Sequence, residues 1–486
     1  MGALVAILSK KGEDATQLAI TMLETLGFKK TEAFGIASPR VVRINRTVES
    51  LRNPNLESPI VIGNAFSRIR TADRPQPLKL KDATVVFEGG IYKESTEDSD
   101  AEIFARKTQQ DRDASIENFI RRVEGDFAFV VAEAERLIAG RDPLGVCPIY
   151  YGENTDWAAM SSVRRALFSI GIQDAFSFPP GQVSTITKSG FTFKPIKTLA
   201  YSEPKPATMR SSVRKLHVLL RRSILERVSG LKEVALAFSG GLDSSVVANL
   251  AKDAGAKVHL IHVSLANQPE TEHAIKVANE LKLPIHTQLH SEKGLEEILP
   301  KVLWLIEESD PVKASIGIPM YWTAEKAAEL NFKVMLAGQG ADELFGGYKR
   351  HLDAYLKYGT IRAHRVIFQD IAKMSRANCE RDLKICNYHG VDLRLPFASY
   401  EIARFAIDLP VELKMERSAS TSRKLVLRQL AKDLGLAEFI AERPKKAIQY
   451  TTGVSRVLKK LAKRNGLTVN GYLDKIFRTA RKDEAT

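Results

Sequence analysis

Glu233-Val234-Ala235-Leu236-Ala237-Phe238 runs into Ser239-Gly240-Gly241-Leu242-Asp243-Ser244-Ser245, and that into Val246–Gly255. An apolar run of strand character, a glycine-rich turn and a helical pattern follow one another. This order puts free backbone N–H groups and a helix N-terminus at the end of a strand, where an anion is stabilised. Gly240 and Gly241 let the backbone approach phosphate oxygens closely. Ser239, Ser244 and Ser245 add hydroxyl donors. Asp243 repels phosphate unless a cation lies between them, which implies Mg2+. The G-x-x-x-x-G-K-[ST] loop is absent, since no lysine occupies the corresponding place. For Ser-Gly alone, a capped turn with no ligand is the plainer alternative.

Outward from this loop, strands and helices alternate. Helical 211–228 precedes it; strand-like Lys257–Leu265, helical 270–282 and strand-like 333–338 follow, and the chain beyond about Asp353 reads as mainly helical. Alternation at this length predicts βαβ units on a parallel sheet, hence an α/β, doubly wound domain. Toward the N-terminus the pattern is different. Short runs rich in Val, Ile, Phe and Tyr predict strands, and residues 98–123 carry helical spacing. The stretch 198–210 has two prolines and little periodicity. The expected organisation is therefore a domain over 1–197, a linker over 198–210 and a second domain over 211–486.

Composition bounds the function. Apolar residues are 44% and charged residues 27%, as in a globular protein, and no apolar run approaches the length of a membrane span. Cys147, Cys379 and Cys386 form neither a disulfide framework nor a CxxC pair, so a reduced, cytoplasmic protein is expected. The 72 Lys+Arg exceed the 58 Asp+Glu by 14. From Val411 onward, 18 Lys+Arg face 8 Asp+Glu, a net +10. That region suits an anionic partner, with a solvated helical face as the plain alternative.

The full Ser239–Ser245 loop resembles the pyrophosphatase loop of the ATP-pyrophosphatase family. Leu336-Ala337-Gly338-Gln339-Gly340-Ala341-Asp342-Glu343-Leu344-Phe345-Gly346-Gly347-Tyr348 is similar to the S-G-E-G-x-D-E-L-F-G-G-Y segment of asparagine synthetases. Asp310–Tyr321, Arg381-Asp382, Val391–Phe397, Lys424 with Arg428, and Arg443-Pro444-Lys445-Lys446 extend the resemblance over about 210–455. It implies an ATP site at Phe238, Ser239, Gly240, Gly241, Asp243, Ser244, Ser245, Val263, Ala337 and Gly338. It implies Mg2+ shared by Asp243 and Asp342. Lys445 would stabilise the adenylated intermediate and the leaving pyrophosphate, and Asp382 and Arg394 would contact substrate.

The N-terminal region resembles class II glutamine amidotransferase domains. Gly125–Phe129, Gly140–Tyr151, Phe87–Tyr92 and Phe178–Gly181 carry that likeness, which implies an Ntn-hydrolase-like αββα sandwich. Its catalytic positions are altered. Gly2 stands where the family has its nucleophilic cysteine. Glu88 and Gly90 replace an asparagine and a glutamate, and Phe66 replaces an arginine. Asp100 alone still resembles a ligand for the glutamine amine. Cys147 reads as a packed core thiol. In the synthetase half, Gln339 replaces a glutamate that can take a proton from the attacking amine.

The reading is an ATP-dependent amide ligase acting on a small carboxylate, aspartate first. Its nitrogen comes from free ammonia or a partner glutaminase, and its own glutaminase is inactive. A β-lactam synthetase-like intramolecular amide former and a nucleic-acid-modifying adenylating enzyme are the alternatives. Nucleic acid is a less favoured partner, a homodimer is compatible with the sequence, and no membrane is involved.

Overall fold

In the computed structural model, residues 2–52, 55–92, 97–417 and 422–482 are described. The chain forms two compact units: Met1–Leu199 with Asn387–Gly390, and Ala200–Cys386 with Val391–Thr486.

The first unit holds two antiparallel sheets. One has seven strands in the order Phe176–Ser177, Tyr150–Glu153, Trp157–Ser161, Gly2–Ser9, Ile60–Phe66, Ala33–Ala37, Val42–Asn45. The other has six: Gly190–Pro195, Gln182–Thr187, Leu137–Arg141, Glu124–Ala132, Thr84–Tyr92, Leu78–Lys79. Period-two alternation sends successive side chains to opposite faces. Ala3, Val5 and Ile7 therefore pack on helices Thr16–Glu24 and Arg164–Phe168, through Ala19, Leu23, Ala166 and Leu167. Leu4, Ala6 and Leu8 face Val86, Ala128 and Val130 of the other sheet. Beyond that sheet, Phe87, Phe127 and Phe129 pack with Phe104 and Phe119, their ring centroids 4.4–6.5 Å apart. The layers are helix, sheet, sheet, helix. Each of the Val, Leu, Ile and Phe side chains among them contributes about 1.5–3 kcal/mol on burial.

The helical stretch expected over 98–123 is two helices, Asp100–Lys107 and Arg112–Arg122. Asp111, at φ 40, turns the chain between them. A capping box of Ser99 and Glu102 opens the first.

In the second unit, five parallel strands lie in the order Ile285–His290, Lys257–Leu265, Glu233–Ala237, Val334–Leu336, Asp392–Arg394. The strand order reverses between Glu233–Ala237 and Val334–Leu336. Two successive strands lead away on either side of that line, and the crevice outside their carboxyl ends is where open α/β sheets bind ligands. Helix Met209–Val228 begins inside the stretch read as linker, capped by Thr208. At the C-terminus, Val454–Arg464 and Val469–Lys482 lie near Glu292–Ile306. Lys460 and Arg464 pair with Glu292 and Glu296 there, each at 2.6 Å. Part of the basic C-terminal charge is thus neutralised within the fold. No helix among the described residues is long and apolar enough to cross a membrane.

Candidate active site at the strand-order reversal

The phosphate-loop strand ends at Ala237, and helix Leu242–Asp253 starts four residues after Phe238. Gly240 has φ 67, a left-handed conformation that favours glycine. Its carbonyl lies 3.0 Å from His273 Nε2 and accepts from Arg443 Nη1 at 3.1 Å. The helix has Gly241 as its N-cap and no side chain on its first N–H groups. Ser239 Oγ accepts from the Gly241 amide, and Ser244 Oγ donates to the Gly241 carbonyl. Ser245 Oγ is buried without a hydrogen-bond partner among the described residues.

Across the reversal, a Cβ added to Gly338 would lie 3.0 Å from Asp243 Cβ and 3.2 Å from the Ser244 amide. The second loop thus sits directly on the first. Ala337 is buried and donates its amide to Arg394 O, while Val263 is buried near the end of the neighbouring strand.

Asp243 and Asp342 converge on two ammonium groups. Lys424 Nζ lies 2.6 Å from Asp243 Oδ2 and 2.6 Å from Asp342 Oδ1. Lys445 Nζ lies 2.5 Å from Asp342 Oδ2 and 3.9 Å from Asp243 Oδ2. Burial alone would raise the Asp342 carboxyl, but Lys424 and Lys445 hold it well below the usual carboxylate range. Burial would lower the Lys445 ammonium, and Asp342 with Asp243 raises it instead. The adjacent Lys446 points elsewhere, to Glu270 at 2.7 Å. Glu270 also receives Arg443, so this acid ties the Arg443–Lys446 segment to the helix that follows the next strand. Arg428 fixes the same segment by donating to the carbonyls of Arg423, Ala441 and Arg443.

Glu343, beside Asp342, has a different role. It is 3% exposed and accepts from Tyr348 and Asn378, so it braces the turn. Gln339 donates through Nε2 to Asp382 Oδ2 at 3.1 Å. Both oxygens of Asp382 also accept from Arg381, at 2.7 and 2.9 Å. That pairing fixes which end of the Gln339 amide faces the carboxylate, because an ionised carboxylate only accepts. Asp382 is completely buried. Arg394 donates to Asp392 and to the Arg227 carbonyl. Asp382 and Arg394, the residues expected to contact substrate, thus both have protein partners, as a buried charge is costly unless paired.

Two carboxylates plus phosphate oxygens form a normal magnesium environment. Among the described residues no cluster of three His, Cys, Asp or Glu could hold a metal by itself. Asp342 Oδ1 is buried and accepts no hydrogen bond of good geometry, although Lys424 is close. The acid pair therefore fits an ion that brings phosphate ligands with it.

Lys424 carried no assigned role in the sequence, and Glu270 and His273 belong to no motif there. The one cue for the latter two was position, in the first turns of the helix after strand Lys257–Leu265.

In the first unit, the altered positions are equally well defined. A Cβ at Gly2 would lie 2.1 Å from Ala65 O, well inside contact distance. Glu88 is buried and accepts from Ser162 Oγ at 2.9 Å. Burial pushes its carboxyl up to about 7, against the lowering effect of that bond. Asp100 pairs with Arg70 at 2.9 Å, and Phe66 is buried. Cys147 is a buried free thiol whose pKa burial raises well above the ordinary value, as a packed core residue requires.

The asparagine synthase family profile matches residues 215–363 and 357–480, and a glutamine amidotransferase domain profile matches 65–169. A Methanocaldococcus jannaschii protein designated a glutamine-hydrolysing asparagine synthetase is 28% identical over 98% of this chain and 99% of its own length. Asparagine synthetase 2 of Oryza sativa subsp. japonica is 29% identical over 74% of this chain and 64% of its own. A solved glutamine phosphoribosylpyrophosphate amidotransferase from B. subtilis aligns with TM-score 0.36 at 14% identity, over 59% of this chain and 65% of that one. By the match across 215–480, this chain belongs to the asparagine synthase family, ATP-dependent carbon–nitrogen ligases.

Proposed function

We propose that the protein adenylates a small carboxylate, aspartate first among candidates, and transfers the acyl group to ammonia. The observation that carries this is the convergence of Asp243, Asp342, Lys424 and Lys445 at the strand-order reversal, with Gln339 three residues from Asp342. A carboxylate oxygen attacks the α-phosphorus of ATP, and the bond to the bridging oxygen breaks, releasing pyrophosphate. The nitrogen lone pair then attacks the acyl carbon; AMP leaves with its bonding electrons, and the amine gives up a proton. Magnesium held by Asp243 and Asp342 supplies positive charge to the phosphate oxygens when bound. The loop N–H groups orient the polyphosphate, and Lys445 meets charge developing on the departing pyrophosphate. Gln339, its NH2 turned to Asp382, presents Oε1 as an acceptor for the amine's N–H.

Glutamine hydrolysis by the first unit is outside this proposal. Gly2 offers no nucleophile, its surroundings leave no room for a Cβ, and Asp100 is paired with Arg70. Ammonia then comes from solution or from a partner glutaminase. The test is pyrophosphate release from Mg-ATP with a panel of carboxylates, with and without ammonium or glutamine, including carboxylates whose own amine is placed to close a ring on the activated acyl carbon. Release with aspartate that needs ammonium supports the proposal. Release only with the ring-closing carboxylates, or with none, overturns it.

A further inference from the structure

Lys424 is built into the metal site more thoroughly than a phosphate contact requires. Its backbone is left-handed, at φ 61 and ψ 39, a conformation that costs a non-glycine residue energy and persists only where the surroundings enforce it. The side chain is 4% exposed. Its Nζ reaches both oxygens of Asp243, at 2.7 and 2.6 Å, and one of Asp342 at 2.6 Å. The chain opposite leaves space for it. A Cβ at Gly347 would lie 2.4 Å from Lys424 Cε and 1.9 Å from Asp342 Oδ1. Arg423, the residue before, donates to the Gly347 carbonyl at 2.7 Å and holds that glycine against the lysine.

A magnesium ion binds carboxylate oxygens at about 2.0–2.1 Å. Bridging Asp243 and Asp342, it would fall almost where the Lys424 ammonium already is. The two cations cannot share that volume.

We propose that Lys424 is a resident counter-cation that closes the Asp243–Asp342 pair to free divalent metal, so that metal enters only together with the polyphosphate. Oxygens of the incoming nucleotide take over the Lys424 ammonium, and the vacated carboxylate oxygens take the metal. The protein thereby avoids a tightly bound metal in the absence of nucleotide, and binding of metal and ATP becomes mutually dependent. This rests on the reading of Asp243 and Asp342 as the metal-binding pair.

The test follows Mn2+ binding to the full chain by the paramagnetic resonance signal of the free ion, so no turnover is needed. Wild type, Lys424→Met, Lys424→Arg and the double variant Lys424→Met/Asp342→Asn are titrated with and without a non-hydrolysable ATP analogue. Without nucleotide, Lys424→Met should bind Mn2+ at least tenfold more tightly than wild type, and Lys424→Arg should behave like wild type. Asp342→Asn should remove the gain, which locates it at the acid pair. With the analogue, wild type and Lys424→Met should agree within about threefold. Equal nucleotide-free binding by wild type and Lys424→Met, or a gain that survives Asp342→Asn, overturns the counter-cation role. Absence of Mn2+ binding by wild type even with the analogue overturns instead the metal-binding reading of the pair. A thermal melt of each variant confirms that it is folded.

Discussion

Replacing Lys445 by alanine removes an ammonium 2.5 Å from Asp342 and 3.9 Å from Asp243. A unit charge about 4 Å from charge developing on pyrophosphate is worth about 4 kcal/mol at an effective dielectric constant of about 20. Lys424, the second ammonium at the site, compensates in part. The expected loss in kcat is therefore about 10²–10³, comparable to removing one preorganised donor. Affinity for a non-hydrolysable ATP analogue should change by less than about tenfold, because the charge acts mainly in the transition state. Lys446→Ala is the internal control. Its ammonium pairs with Glu270 and its side chain is 57% exposed. Screened pairs of this kind contribute about 0.2–1 kcal/mol, so the rate should stay within about fivefold of wild type. Pyrophosphate release at saturating Mg-ATP gives the rate, and calorimetry with the analogue gives the affinity. Equal mild losses from both variants would refute the assignment of Lys445, and a large loss from Lys446→Ala alone would move the role one residue along.

Gly2→Cys should not create glutaminase activity, since the new Cβ meets Ala65 O; it should lower the melting midpoint, and sustained glutamate release from glutamine would contradict this. Glu88, raised from 4.5 to about 7 by burial, keeps its proton in the folded state where the unfolded chain has lost it. Stability from this group is thus fully present below the unfolded value and is lost as pH rises through the folded one, by about 3 kcal/mol in total. Glu88→Gln should remove most of the fall in melting midpoint between pH 5 and 8, and parallel calorimetric profiles for variant and wild type would refute it. Asp382→Asn leaves the Arg381 guanidinium buried beside a neutral group, and breaking such a pair costs about 3–5 kcal/mol. Urea unfolding should show this, and an unchanged midpoint would mean that the pair is not holding Gln339. Asp243→Ala and Asp342→Ala should each weaken Mg2+-dependent binding of the analogue; unchanged affinity and magnesium dependence in both would place the nucleotide elsewhere.

The second domain was legible because strand, glycine turn and helix are contiguous in sequence, so the phosphate loop needs no long-range information. The sandwich was legible only through resemblance. Its strands bury both faces and lack the apolar–polar alternation of a half-exposed sheet, as Ala3, Val5 and Ile7 on one face and Leu4, Ala6 and Leu8 on the other show. The site itself was partly hidden for two reasons. Charged residues in a motif look alike whether they meet a ligand or one another, so the pairing of Asp382 with Arg381 and of Arg394 with Asp392 could not be read from the sequence. Lys424 could not be weighted because its importance lies in a left-handed backbone and in the room left by Gly347, neither of which has a local sequence signature. His273 and Glu270 act on Gly240 and Arg443 from a helix whose apolar spacing carries no hint of that task.

Strand Gly2–Ser9 occupies the middle of its seven-stranded sheet, yet its two hydrogen-bonding neighbours are Ile60–Phe66 and Trp157–Ser161. During synthesis at about 5–20 residues per second, the second neighbour follows the first strand by roughly 7–30 s. Until then the apolar run from Ala3 to Leu8 has one open edge. The nascent chain must therefore hold its future keystone unfinished for most of the time the domain takes to emerge. That interval is when an aggregation-suppressing chaperone would act on it, and it is where slowing the ribosome between codons 67 and 157 would be most harmful to yield.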